Sequence, residues 1–491
     1  MSRKDSPKAS KKASEKGKTK DKHAGKGAKK DANKDVTKAA RKSDAKVPAK
    51  PVHAPRGQRG DAPREAPARP TAIDVAPEPR RNPAKSAAKR VSRAQQRDLL
   101  VAAAGRIQLP ATADVVVCGG GAAGLVAAIA AAESGARTVV VERDLECGRK
   151  ILATGNGRCN LTNLWLNADV YRHPAFVRRV CGEAWRDDVL RFFEESGLAT
   201  CMEDEGRVYP LSRQAASVRD VLLARALRAG VMLAAGRTVA AVDTAVGTAD
   251  GLAVHLDETA IGGTTAMLAA RSVVVATGGA SELAKGLGLA WVPTRPVLCP
   301  LACTGAPLAE LDGRHAHARL SLARNGQELA VETGDLLFRT YGISGIAVFN
   351  LSRLAQPGDQ VEADLLPELG LDAALLLARN AGTAAGVMDP QVARALGGGE
   401  RAVRAAKCLR LAVTGLAEPN RAQVTAGGLD VVGFSPATLE ATLAPGIFAC
   451  GEALDVDGPC GGFNLAWAWK SGMVAGRAAA AHAAGNIGRH A

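Results

Sequence analysis

Aromatic residues are scarce in this chain: Phe, Trp and Tyr together make up 3% of its 491 residues. None of them lies in residues 1–100, which excludes a base-stacking platform there, because stacking needs aromatic side chains interleaved with basic ones. CxxC pairs are missing, and none of the ten cysteines has a histidine partner at zinc-ligand spacing, so neither a disulfide framework nor a metal site is expected. No Ser/His/Asp, Cys/His or paired-carboxylate constellation stands out, which leaves the catalytic acid or base unassigned. One uncharged stretch, VVVCGGGAAGLVAAIAAA (115–132), has the length of a membrane helix. Its three consecutive glycines favour a strand and turn instead, so no span is expected.

Lysine is nearly absent beyond residue 100, where only Lys150, Lys285, Lys407 and Lys470 remain. Residues 1–100 carry 29 Lys+Arg against 11 Asp+Glu, whereas the rest of the chain carries 35 against 38. The basic character therefore belongs to the N-terminal segment, which is rich in Ala, Pro, Ser and Gly. Such a composition cannot bury enough apolar surface to offset its ordering entropy, so residues 1–105 read as a disordered basic tail. Its charge fits attraction to RNA, DNA or an anionic surface by counterion release, or a solubilising extension. No apolar run succeeds the early lysines and acidic residues are interspersed, so neither a secretory signal nor a transit peptide is expected, and a cytoplasmic location fits best. The length exceeds what one core usually holds.

ADVVVCGGGAAGLVAAIAAAESGARTVVVERD (113–144) reads as strand, turn, helix, strand. GxGxxG falls at Gly119, Gly121 and Gly124: the first permits the tight turn, the second a close approach to a pyrophosphate, and the third close helix packing. Phosphates would rest on free N–H groups at the helix start. The second strand ends in Glu142, placed to accept from ribose hydroxyls. The segment after Glu142 is not the helix of an NAD-binding dehydrogenase. RDLECGRKILATGNGRCNLTN (143–163) is a basic, Gly-rich loop with Arg149, Lys150, Arg158 and the amides Asn156, Asn160 and Asn163, and long irregular loops in compact domains tend to be functional. Farther on, ARSVVVATGGAS (270–281) is an apolar strand running into Thr277-Gly278-Gly279.

Near the C-terminus, GEALDVDGPCGGFNLAWAWKSG (451–472) runs from an acidic turn into an apolar helix. A calcium loop is excluded, because the twelfth position from Asp455 is Ala466 rather than Glu. Asp455 or Asp457 is placed to accept from ribityl hydroxyls. Gly461, Gly462, Phe463 and Asn464 would offer free N–H groups to the pyrimidine edge of a flavin ring. Trp467 and Trp469, two apart, face different sides of the helix and read as core.

Taken in order, GxGxxG, Glu142, GRKILATGNGRCNLTN, GRVYPLS, ATGG, YGISG and GEALDVDGPCGGFN resemble the bacterial YhiN- or BaiN-like flavoproteins, also called the aminoacetone oxidase family of FAD-binding enzymes. The resemblance covers about residues 112–485. It implies FAD against Gly119, Gly121, Ala122, Ala123, Gly124 and Glu142, against Arg149 and Lys150, and against the loop of Asn156, Gly157, Arg158, Cys159 and Asn160. It adds Thr277, Gly278 and Gly279, then Gly451, Glu452, Asp457 and Gly461 through Asn464. Members often carry a Thr-His pair and a Pro around the YGISG element, where this chain has Arg339, Thr340 and Ile346.

The expected architecture is α/β: a Rossmann-like FAD-binding domain (106–284 and 419–491) interrupted by an inserted β-barrel-like plus helical domain (285–418), which forms one wall of a substrate cleft. Helices are predicted over Phe176–Ser196, Ala215–Ala229, 371–382 and 400–416, and strands over 231–235, 238–243 and 251–256. GISG (342–345) reads equally as a turn or as backbone offered to substrate. Arg207, Tyr209, Ser212 and Arg213 are candidates to line the approach to the flavin, and Arg207, Tyr209, Tyr341 and Cys460 for contact near its ring. Cys299 and Cys303, at CxxxC spacing, lack the placement of a redox disulfide.

The expected function is hydride transfer between FAD and a small organic substrate, reducing an activated C=C bond or oxidising an amine. With one GxGxxG there is no second dinucleotide domain, so NAD(P)H would bind transiently in the cleft, or dioxygen would accept electrons. Two alternatives stay open: a nucleic-acid-associated flavoprotein, such as an RNA modifier tethered by its tail, and a flavin binder without turnover.

Overall fold

The computed structural model describes residues 92–244, 251–279 and 281–485. The tail expected to be disordered lies outside them up to residue 91, but its last part is helix α1 (Arg93–Gly105), a correction. A reciprocal capping box starts it: Ser92 accepts from the Gln95 amide, and the Gln95 side chain accepts from the Ser92 amide. The buried Arg237 guanidinium holds the other end, donating to the carbonyls of Ala104 (3.2 Å) and Ile107 (2.9 Å). Local capping and one buried cation thus order a segment whose composition argues against order.

β1 (Thr112–Cys118), α2 (Ala122–Glu133) and β2 (Thr138–Glu142) form the expected βαβ unit. Val115, Val116 and Val117 have no exposed surface, as parallel strands covered on both faces require. Beyond the loop after β2 come β3 (Thr162–Asn163), α3 (Pro174–Cys181), α4 (Trp185–Glu195), the hairpin of β4 (Thr200–Met202) and β5 (Arg207–Pro210), and α5 (Ala215–Arg228). The helix predicted over Phe176–Ser196 is thus two, because Gly182, at φ 65°, ends the first. β6 (Met232–Ala235), β7 (Thr238–Thr244), β8 (Leu252–Asp257) and β9 (Thr265–Val275) come next, the last three as an antiparallel meander.

Beyond α6 (Glu282–Gly286) the chain leaves along β10 (Trp291–Val297) for a closed six-stranded barrel. Its strands are β11 (Leu301–Thr304), β12 (His315–Arg324), β13 (Gln327–Arg339), β14 (Gly342–Ser344), β15 (Gln360–Asp364) and β16 (Leu409–Leu416). α7 (Leu308–Leu311) and α8 (Ile346–Ser352) pack on them, and α9 (Leu371–Ala381), α10 (Pro390–Ala395) and α11 (Gly399–Lys407) form a helical appendage. Of the helix predicted over 400–416 only the first half is helical. In the second half Leu409, Leu411 and Val413 are buried while Arg410 and Thr414 are exposed, the period of two that lets β16 close the barrel. GISG, expected as a turn or as backbone offered to substrate, is instead strand β14 and the Gly345 that leads into α8, and a Cβ on Gly342 would fall 2.2 Å from the Leu301 carbonyl oxygen of the neighbouring strand.

The chain returns on β17 (Val424–Leu429), antiparallel to β10, so these two strands form the ribbon that joins barrel and sheet. β18 (Ile447–Ala449) and α12 (Phe463–Ala483) complete the fold. The main sheet runs β6-β2-β1-β9-β8-β7, with β18 also on β9. α12 crosses α2 at backbone contact: a Cβ on Gly476 would lie 2.1 Å from the Ala127 carbonyl oxygen, and one on Gly472 2.6 Å from that of Ala123. These contacts advance together along both helices, so the two run in the same direction and the first turns of α12 overhang the start of α2. Among the described residues no helix is long and apolar enough to cross a membrane.

Candidate functional site

The ends of β1 and β9, the starts of α2 and α12, the loop after β2, β5 and the ribbon converge on one cavity of about 1070 Å³. At its floor Gly119, at φ 109°, turns the chain under α2, and a Cβ on Gly124 would fall 1.8 Å from the Gly119 carbonyl oxygen. In front of Gly121 the space is open, with nothing within 4 Å of a Cβ placed there. No side chain caps α2, so its first N–H groups and positive dipole end face that space. The Glu142 carboxylate accepts from the Gly120 amide (2.6 Å) and the Asp144 amide (2.8 Å), one bond to each oxygen, which leaves lone pairs for a ribose.

The loop after β2 holds Arg149, Lys150, Asn156, Arg158 and Asn160 on the cavity wall. Thr277 and Gly278 stand opposite, at the end of β9, and Glu452 beside Lys150. Burial pushes the Glu452 carboxyl up, against the opposing influence of the Thr425 amide and Lys150. At the overhanging start of α12, Gly461 and Gly462 have φ of 113° and 99°, again with no side-chain cap. Asn464 lines the cavity while its amide staples the turn, accepting from the Gly458 amide and donating to the Gly458 carbonyl.

Several residues expected at the cofactor stand behind the wall. Gly124 and Gly451 are spent on packing: a Cβ on Gly451 would lie 2.7 Å from the Ala123 methyl. Gly279 backs onto Thr425 at 2.5 Å. Gly157 and Phe463 do not line the cavity, and the Phe463 ring packs edge-on against Tyr171. Cys159 is fully buried, and burial pushes its thiol to about 11. The largest correction is Asp457. Its carboxylate has no exposed surface and is gripped by Arg172 Nε (2.6 Å) and Arg353 Nε (2.7 Å). Asp455 likewise accepts from the Gly427 amide at 2.8 Å and faces His173 at 3.0 Å. Both aspartates serve the join between barrel and sheet, and neither lines the cavity.

Of the residues expected along the approach to the flavin or near its ring, Arg207, Tyr209 and Cys460 line the cavity, and Tyr341, Ser212 and Arg213 do not. Burial, with Glu332 nearby, pushes the Cys460 thiol to about 12. Cys303 is likewise pushed to about 12, and Cys299 is raised. All ten cysteines are free, and these protonated thiols lack the thiolate that redox exchange needs. Trp467 and Trp469 are core residues, at 1% and 0% exposure; the first also touches the cavity and donates to the Gly451 carbonyl.

Sequence reasoning missed the wall contributed by Arg237 through Ala240, and that of Leu298, Ile346, Phe349, Arg421 and Gln423. A lone arginine in the apolar run AAGRTVAA was the one signal for the former. The latter come from the ribbon and barrel and match no motif.

Seven basic and four acidic side chains line the cavity, a balance suited to a diphosphate. Asn160 Oδ1, Thr162 Oγ1 and Thr277 Oγ1 are buried without a hydrogen-bond partner; Asn160 and Thr277 line the cavity, and such orphans are costly unless a polar ligand meets them. Together with the open space before Gly121 and the uncapped helix starts, they fit FAD, whose diphosphate would be held by the start of α2 and whose ribose by Glu142. When bound, the flavin supplies two-electron hydride chemistry.

A match to the HI0933-like protein Rossmann domain spans residues 113–478. The chain is 34% identical over 406 residues to the 3-dehydro-bile acid delta(4,6)-reductase of Clostridium scindens, covering 73% of this chain and 97% of that protein. It is 29% identical over 392 residues to the ribosomal RNA dihydrouridine synthase of Escherichia coli, covering 71% and 94% respectively. Among solved structures, the 3-ketosteroid-delta4-(5alpha)-dehydrogenase from Rhodococcus jostii RHA1 gives a TM-score of 0.42 at 16% identity, over 76% of this chain and 98% of that one. The chain belongs to the HI0933-like family, as an FAD-binding oxidoreductase built on a Rossmann-type fold.

Proposed function

We propose that the protein reduces a carbon–carbon double bond conjugated to a carbonyl group in a small organic substrate, with NAD(P)H as the electron donor. The observation that carries this reading is the sidedness of charge around β5 and the ribbon. Arg158, Arg207 and Arg421 line the cavity, whereas their carboxylate partners Glu203, Glu205 and Glu418 stand outside its lining. Guanidinium groups directed into a cavity favour an electron-rich carbonyl oxygen and repel an ammonium ion, which sets amine oxidation second. Leu298, Ile346 and Phe349 add an apolar face for the carbon skeleton. The two relatives named above also meet in this chemistry, since a delta(4,6)-reductase and a dihydrouridine synthase both saturate a C=C bond. The test is anaerobic mixing of the holoprotein with NADH or NADPH. Its flavin band is expected to bleach and to return when a conjugated enone is added. Bleaching by amines, with no response to enones, would overturn the reading.

A second reading keeps the chemistry and changes the substrate to a uracil ring in RNA. It is favoured by the 29 basic against 11 acidic residues in positions 1–100 and by the name of the second relative. Removing residues 1–91 is then expected to weaken RNA binding at low salt and to flatten its salt dependence; unchanged affinity would eliminate this reading.

A further inference from the structure

We propose that Arg158 is a catalytic residue whose guanidinium holds the substrate carbonyl oxygen and stabilises the negative charge that develops there. The proposal rests on the C=C-reduction reading above and moves Arg158 from the cofactor to the substrate.

The loop is built to present this side chain. Asn156 and Cys159, at φ 54° and 57°, flank it in the left-handed region, a conformation that non-glycine residues adopt at a cost and that gathers at functional sites. Backbone bonds from Arg158 to Gly155 and from Cys159 to Thr154 lock the turn, and the fully buried Cys159 anchors it. The guanidinium then lies 4.3 Å over the Tyr209 ring, while Nη2 bonds Glu203 at 2.5 Å. One face and one nitrogen are thereby fixed. The guanidinium carries five N–H donors, and among the described residues its hydrogen-bond partner is Glu203, so donors remain for the cavity that Arg158 lines.

Of the other cations at the cavity, Arg207 pairs with the exposed Glu205, and the buried Arg237 is bound by Glu258 and the carbonyls of Ala104 and Ile107. Arg353 stands outside the lining, on the Asp457 carboxylate and carbonyl. Arg421 is 78% exposed and lightly tethered to Glu418 at 3.5 Å. Lys150 stands at Gly278 and Glu452, where the cofactor is expected. Arg158 is also two residues from Asn160, whose Oδ1 would lie 2.9 Å from a Cβ on Gly462, so it borders the start of α12.

In the step itself, hydride reaches the β-carbon with its electron pair. The C=C π pair moves between the α-carbon and the carbonyl carbon, and the carbonyl π pair moves onto oxygen, beside Arg158. The α-carbon then takes a proton from water and the C=O bond re-forms. The substrate gains two electrons and two hydrogens, and a reduced nicotinamide nucleotide is oxidised overall.

The test compares the wild-type holoprotein with Arg158→Met and Arg158→Lys, using a conjugated cyclic enone and, separately, para-substituted phenols as stand-ins for the enolate. Arg158→Met is expected to keep its FAD content and thermal stability and to lose roughly 100- to 1000-fold in kcat, with Arg158→Lys in between. Wild type is expected to bind the more acidic phenols more tightly, with a long-wavelength absorbance band that Arg158→Met abolishes. If wild type reduces enones and Arg158→Met does so equally well, this proposal alone is overturned. If Arg158→Met loses FAD at unchanged thermal stability, the residue belongs to the cofactor and the proposal also fails. If wild type reduces no enone, the underlying reading falls, and this inference with it.

Discussion

Valine at position 121 is expected to leave the apoprotein folded as before and to weaken FAD binding by a hundredfold or more. The first half of that expectation stems from the empty space around a Cβ on Gly121, which meets no protein atom within 4 Å. The second half stems from where that space is, in front of the uncapped start of α2. Overpacking a filled site costs about 3 kcal/mol at its upper range, and each 1.4 kcal/mol is about tenfold in affinity. Gly124→Val is the contrasting case. Its Cβ would meet the Gly119 carbonyl oxygen at 1.8 Å, so that variant is expected to lose thermal stability whether or not FAD is present. Thermal unfolding of both apoproteins, then FAD titration, separates the two. Equal FAD affinity for Gly121→Val and wild type would place the diphosphate elsewhere.

Asp457→Ala is expected to lose about 3 kcal/mol of apoprotein stability, the lower end of what removing one partner from a buried ion pair costs. The lower end applies because water reaches its partners, whose side chains are 32% exposed in Arg172 and 17% in Arg353. The carboxylate ties the segment ahead of α3 to the end of α8 in the barrel. Arg295 of the ribbon joins the network by donating to the Arg353 carbonyl. Two cations left facing each other without Asp457 would loosen the join between barrel and sheet. Urea unfolding of the apoprotein measures the loss, with Asp457→Asn expected to fall between. Unaltered apoprotein stability together with lost FAD would restore Asp457 as a cofactor ligand and contradict its place in the network.

Asp457 also marks where the sequence was legible and where it was not. The βαβ unit could be read because its signals are local: a β-branched run, three glycines at fixed offsets, an apolar helix and a terminal acid all fall within 113–144. The convergence of both chain ends came from the same logic, since an uncapped, Gly-rich helix start announces its need for an anionic or polar ligand. An acidic residue beside such a turn looks the same whether it faces a cofactor or an arginine. Which of the two it meets depends on Arg172 and Arg353, 285 and 104 positions away. β16 was lost for a similar reason: LRLAVTGL has helix-forming residues, and only closure against β11 and β15 selects the strand. The cavity wall of Gln423, Arg421 and Phe349 carries no local signal at all, because the segment entering β17 and helix α8 of the barrel bring it together across the chain.

The most direct test of the central claim, that glycine turns from both halves of the chain hold one flavin in one cavity, is the absorption spectrum of the purified protein together with titration of its apoprotein with FAD. A yellow protein that saturates at one FAD per chain is expected. A colourless protein that takes up no FAD even in excess would contradict the account.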